Sequence, residues 1–116
     1  MTANRDTERG AVTAELAVAL PAVVLVLVVV LTLVAASVAQ MRAVDAARAA
    51  ARAIAIGEQR SAVARTVARV AGDDAELSTD RDGAWVRVTV TEPVVSGWPA
   101  AGPLRARGIA TAWVEP

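Results

Sequence analysis

The stretch "ERGAVTAELAVALPAVVLVLVVVLTLV", Glu8 to Val34, decides how the rest of the chain is read. From Ala11 to Ala39 the only polar side chains are Thr13, Glu15, Thr32 and Ser37. A bilayer core needs about 20 apolar helical residues, and Leu16–Ala39 supplies them. A secretory signal peptide has a shorter apolar region, roughly 7–15 residues. The stretch therefore reads as a membrane-spanning helix with one residue out of character. A charged side chain costs roughly 2.5–3.5 kcal/mol at the centre of a membrane helix and less near its end. Glu15 is tolerated either because it is shallow or because it has a partner.

Working outward, "QMRAVDAARAAARAIAIGE" extends the helix past the apolar run. Alanine has the highest helix propensity. On a helical wheel Ala43, Val44, Ala47, Ala50, Ala51 and Ile54 share one face. Arg42, Asp45, Arg48 and Arg52 occupy the other, the pattern of a helix with one buried stripe. Nothing interrupts it before Gly57. A helix from Ala11 to Ile56 would be about 70 Å long, of which a bilayer core takes about 30 Å.

After a break at Gly57, Ser61–Ala71 reads as a shorter helix with Val63, Val67 and Val70 on one face, stopped by Gly72. The period then changes to two. Val86, Val88 and Val90 alternate with Trp85, Arg87, Thr89 and Thr91, predicting a half-buried strand over Ala84–Thr91. "STDRDG" is turn chemistry, which makes Ala75–Ser78 the expected hairpin partner. Pro93–Leu104 is rich in Pro and Gly and reads as a loop. A last strand, about Arg107–Val114, completes a three-stranded antiparallel sheet, near the minimum for stability against a helix face.

The fold class expected is thus an α+β membrane protein with a long N-terminal transmembrane and amphipathic helix, a short second helix and a small C-terminal sheet. The soluble part is small enough to be marginal on its own. Cys, His and Tyr are absent, which excludes a disulfide framework, an imidazole or thiolate zinc site and a Ser-His triad. No acid/base constellation marks an enzyme, and no cofactor is expected. Twelve basic and 12 acidic residues balance, so no bulk attraction to nucleic acid is expected.

The junction "RGAVTAEL" places Gly10 directly before the apolar run and Glu15 five residues later. It resembles the class III signal peptide of type IV pilins and pseudopilins. The longer stretch from Gly10 to about Glu58, with Pro21 and the "DAARAAAR" segment, resembles the TadE-like minor pilins of the tight-adherence (Tad/Flp) pilus. This chain has Leu16 where many members carry an aromatic residue. It has Ala11 where pilins of other type IV systems begin with Phe. The resemblance implies a prepilin peptidase that cuts between Gly10 and Ala11 on the cytoplasmic side, and Glu15 as the residue that aligns subunits. It also implies a helix-loosening role for Pro21. The implied partners are other pilin subunits, the peptidase, an assembly ATPase, membrane platform proteins and lipid. The organisation that follows is a cytoplasmic leader over 1–10, a transmembrane helix over 11–39, an amphipathic extension over 40–56 and an extracytoplasmic α+β domain over 57–116. The protein would sit in the cytoplasmic membrane as a single pass with its N-terminus inside, and reach a cell-surface filament.

Simple electrostatics gives Glu15 a partner under that reading. Cleavage leaves an ammonium on Ala11, and two unit charges about 4 Å apart attract by roughly 4 kcal/mol at an effective dielectric near 20, less after desolvation. The positive-inside count does not choose a topology, since Arg5, Arg9 and the α-amine balance Arg42, Arg48 and Arg52.

Other features have plainer readings. Asp73, Asp74, Glu76, Asp80 and Asp82 lack the spacing of a calcium loop and read as a solvated turn. Trp85 and Trp113 read as core or sheet packing, and Trp98, in the loop, as an exposed contact. Arg105 and Arg107 lack the aromatic platform of a single-strand DNA site. The rival architectures are a secreted binding domain, cut after Ala39 to begin at Gln40, and an intact membrane-anchored binding domain.

Overall fold

The computed structural model describes residues 2–95 and 104–115. The order of elements is α1 (Thr2–Ala55), α2 (Arg60–Ala71), β1 (Glu76–Asp82), β2 (Trp85–Pro93) and β3 (Arg105–Trp113). Two compact units are present, Met1–Leu33 and Val34–Pro116.

The first unit is helical throughout its described residues, and the helix begins at Thr2, well before Ala11. Its Val and Leu side chains from Val12 to Leu33 are all exposed. By length and composition this is a helix able to cross a membrane. Two of its hydroxyls are satisfied inside the helix: Thr13 Oγ1 donates to the Arg9 carbonyl at 2.8 Å and Thr32 Oγ1 to the Val28 carbonyl at 2.7 Å. Such i−4 bonds remove the polar cost of a hydroxyl on an apolar helix. Pro21 lies in the interior, and α1 continues past it. Because proline has no N–H, the Ala17 carbonyl loses its helical donor there.

The second unit packs the C-terminal part of α1 and the whole of α2 against one face of the sheet. The predicted alanine stripe is the buried one. Ala43, Ala46, Ala47, Ala50 and Ala51 are buried, with Val44 and Ile54 partly so, while Arg42, Asp45, Arg48 and Arg52 are exposed. Val63, Val67 and Ala71 of α2 join them, as do Val86, Val88 and Val90 of β2. With no Phe or Tyr in the chain, the largest fully buried side chains are four valines, Val63, Val67, Val88 and Val90. Small side chains set a short helix-to-strand distance. At Gly108 of β3 a Cβ would run into the backbone of Ala43 and Val44, so only glycine fits this approach.

Gly57 ends α1 with φ +85. Glu58 N–H donates to the Ala53 carbonyl and Gly57 N–H to the Ile54 carbonyl, both at 3.0 Å. That pair is a Schellman motif, which uses up the last helical carbonyls and favours glycine at its left-handed position.

The sheet has the order β1-β2-β3 and is antiparallel throughout. Three details differ from the sequence reading, and a fourth decides between two alternatives it left open. β1 is Glu76–Asp82, not Ala75–Ser78. The segment "STDRD" is strand and the turn is the two-residue loop Gly83–Ala84, since Asp82 pairs with Trp85. The main-chain ladder outweighs the local turn preference of Ser and Asp here, because all seven residues of β1 pair in register with β2. β2 and β3 also run further toward the loop than expected, to Pro93 and from Arg105, where Val94 N–H donates to the Leu104 carbonyl at 2.9 Å. Finally, of the two readings of Trp85 and Trp113, core or sheet packing, the structure shows sheet packing. They sit opposite each other on the outer face, 52% and 53% exposed.

Candidate functional site

In the first unit, Gly10, Ala11 and Glu15 lie on consecutive turns of α1 and are exposed. A Cβ on Gly10 would meet nothing within 4 Å, so neither packing nor φ demands glycine there. Ala11 and Glu15 are four residues apart and share a helix face, the spacing at which side chains interact. Around Glu15, Ala14, Val18, Ala19 and Ala22 line a shallow notch that is almost wholly apolar. Between Ala11 and Met41 Glu15 is the only charged residue. The site is thus one carboxylate on a smooth Ala/Val surface, with no cation on its own stretch of helix to pair with it. Pro21 lies six residues further along the same helix. Trp98 lies outside the described residues.

The second unit joins residues that the sequence left apart. Gln40 of α1 donates from Nε2 to the Arg107 carbonyl at 2.7 Å, and Arg107 N–H donates to Gln40 Oε1 at 3.3 Å. One carboxamide thereby satisfies both main-chain groups of a residue on the outer edge of β3, as a neighbouring strand would. On the outer face the Trp85 and Trp113 rings meet edge to face, with centroids 5.1 Å apart and planes at 82°, a preferred aromatic geometry. At the other end of the same face Arg105 reaches over β2 to Glu76 at 3.9 Å and to Thr91 Oγ1 at 3.5 Å.

Glu92 is the charged side chain buried among the described residues, 3% exposed at an inward position of β2. It lines a cleft of about 400 Å³ together with Arg42, Ala39, Asp73, Asp74 and Pro93. Burial pushes its carboxyl above the ordinary value of 4.5, and the Arg42 guanidinium pulls it partly back. The sequence reading missed it because the strand was expected to stop at Thr91. The same alternation of Val86, Val88 and Val90, carried one step further, would have found it. Asp73 and Asp74 follow α2, while Glu76, Asp80 and Asp82 are strung along β1. Among the described residues no group of three acidic side chains is close enough to hold a metal.

No family model, curated protein or solved structure matches this chain.

Proposed function

We propose that this chain is a non-catalytic structural subunit of the minor-pilin or pseudopilin kind, similar to the TadE-like proteins of Tad pili. In this reading the first unit is a membrane anchor that becomes a packing element. A prepilin peptidase cuts between Gly10 and Ala11, and residues 1–10 stay behind as a cytoplasmic leader. An assembly ATPase and platform protein then move the subunit from the cytoplasmic membrane into a filament.

One observation carries the proposal. The first unit exposes its apolar side chains all along its length and interrupts them with one carboxylate, one turn beyond the Gly10–Ala11 bond. Such a surface needs lipid or other helices around it. A carboxylate at that depth needs a cation, and the new α-ammonium of Ala11 supplies one at the membrane edge. The partner is the ammonium of a neighbouring subunit, which makes Glu15 a sensor of correct axial position. Gly10 fits the same reading, because no fold requirement explains it.

The secreted alternative is disfavoured by the core of the second unit. Ala39 is buried with Ala43 and Ala106, and α1 passes through Ala39 and Gln40 without a break. A cut there would delete a core residue and leave a charged α-amine on Gln40, the residue that pairs with Arg107. The test is a pair of variants expressed in a host that assembles the filament. Gly10→Leu should leave the precursor uncut. Glu15→Ala should be cut at the normal site and stay in the membrane. Normal incorporation of Glu15→Ala into filaments would rule out the alignment role.

A further inference from the structure

The sheet has two open edges, and they are chemically unlike. Val94 N–H bonds the Leu104 carbonyl and Val114 N–H bonds the Ala84 carbonyl, so even-numbered residues of β3 turn their main-chain groups toward β2. By the alternation of an antiparallel ladder, Arg105, Arg107, Ile109, Thr111 and Trp113 turn theirs away. The Gln40 pairing to Arg107 is the direct sign of this. Gln40 closes the edge at Arg107 and leaves Ile109, Thr111 and Trp113 beyond it. Ile109 and Trp113 are each 53% exposed. The same alternation aims the main chain of Leu77, Thr79 and Arg81 out from the free side of β1.

Charge separates the two edges. On the outer face β1 carries Glu76, Ser78, Asp80 and Asp82, and β3 carries Arg105, Arg107, Ile109, Thr111 and Trp113. The attraction between the rows already operates within one molecule, where Arg105 spans β2 to reach Glu76.

We propose that the open edge of β3, from Ile109 to Trp113, receives strand β1 of a second copy of this chain. Both strands are antiparallel to β2, so they run parallel to each other, and continuing the sheet pairs them in parallel. In the unstaggered register the second copy's Glu76 lies beside Arg107, its Ser78 beside Ile109 and its Asp80 beside Thr111. An exposed edge carrying Ile, Thr and Trp is a template for strand addition, while the acidic edge of β1 resists pairing with itself. Joining two β3 edges about a twofold axis at Thr111 would instead set Ile109 against Trp113 and leave the acidic row of β1 without a partner. Because the joined edges differ, the contact does not close on itself, and copies add head to tail. Gln40 sets where the seam ends. This inference rests on the second unit alone and holds whether or not Gly10 is a cleavage site.

The chain has no cysteine, so cross-links can be placed cleanly in the full-length protein in membranes. Ser78→Cys and Ile109→Cys are combined in one chain. Within a molecule these positions are two strand spacings apart, about 9.6 Å, beyond the roughly 7 Å limit of a disulfide. Oxidation is expected to give a ladder of dimers, trimers and higher species, with neither single variant forming one. Adding Arg107→Glu should lower the yield about fivefold, and Glu76→Arg should restore it. Dimers from Ile109→Cys alone, a monomer throughout, or links only to other polypeptides would overturn the proposal. The unmodified chain gives a second readout, since amide exchange at Ile109, Thr111 and Trp113 should slow as its concentration in the bilayer rises. Exchange that ignores concentration would overturn it equally.

Discussion

Gln40 of α1 and Arg107 of β3 are 67 residues apart in sequence and share two hydrogen bonds, through both ends of the Gln40 carboxamide. The amide does the work of a fourth strand for one residue and ties the edge of the sheet to the helix. Each such bond contributes a net 0.5–1.5 kcal/mol in typical cases. Gln40→Leu should therefore lower stability by about 1–2 kcal/mol. It should also speed exchange of the Arg107 amide while leaving the Val88 and Val90 amides protected. Hydrogen exchange read residue by residue distinguishes this local loosening from a general loss of stability.

Gly108 makes the opposite kind of demand, since it contributes no bond and only room. A methyl group there would meet the Ala43 carbonyl and the Val44 nitrogen, which are helical backbone and unable to turn aside. Gly108→Ala should cost about 1–3 kcal/mol or more through overpacking, read as a drop in Tm. Gly10→Ala, in open space, should leave Tm unchanged. Equal effects at the two glycines would mean that strand propensity, not contact with α1, is being measured.

Glu92 gives the second unit a predicted pH dependence. Its carboxyl is raised in the folded state, so between the ordinary value of 4.5 and the folded value the native protein holds more protons than the unfolded chain. Stability from this group is therefore greatest below 4.5 and falls as pH rises through that window. Glu92→Gln should flatten this part of the pH profile and match or exceed the parent at neutral pH. Arg42→Ala should steepen it, because the cation that offsets the burial of Glu92 is gone. Thermal unfolding from pH 4 to 8 in the three proteins checks both signs.

What the sequence made legible follows from where a single local rule decides the outcome. The Ala/Arg period of residues 42–54 identified the buried face of α1, and the period-two valines identified the inner face of β2. Small side chains leave their periodicity clear. β1 was misread because its Ser and Asp residues favour turns locally, whereas the strand depends on a main-chain ladder with β2 that local sequence does not reveal. The placement of the two tryptophans on the outer face was hidden for a related reason. In a chain without Phe or Tyr they read equally as core or as sheet packing, and the close approach of the helix at Gly108 leaves room there for small side chains alone. Gln40 gave no signal at all, because its role depends on a strand edge 67 residues away. The Gly10–Glu15 junction was legible through its resemblance to pilin leaders alone, since neither packing nor backbone conformation marks Gly10 in the fold.

In the proposed pilin reading Glu15 awaits an ammonium that exists only after cleavage at Gly10. Determining the N-terminus of the protein recovered from membranes of cells carrying the matching peptidase decides whether that ammonium forms. The expected result is a mature chain that begins at Ala11 and an uncut precursor when the peptidase is removed. A chain that begins at Gln40, or one that keeps residues 1–10 with the peptidase present, would contradict it.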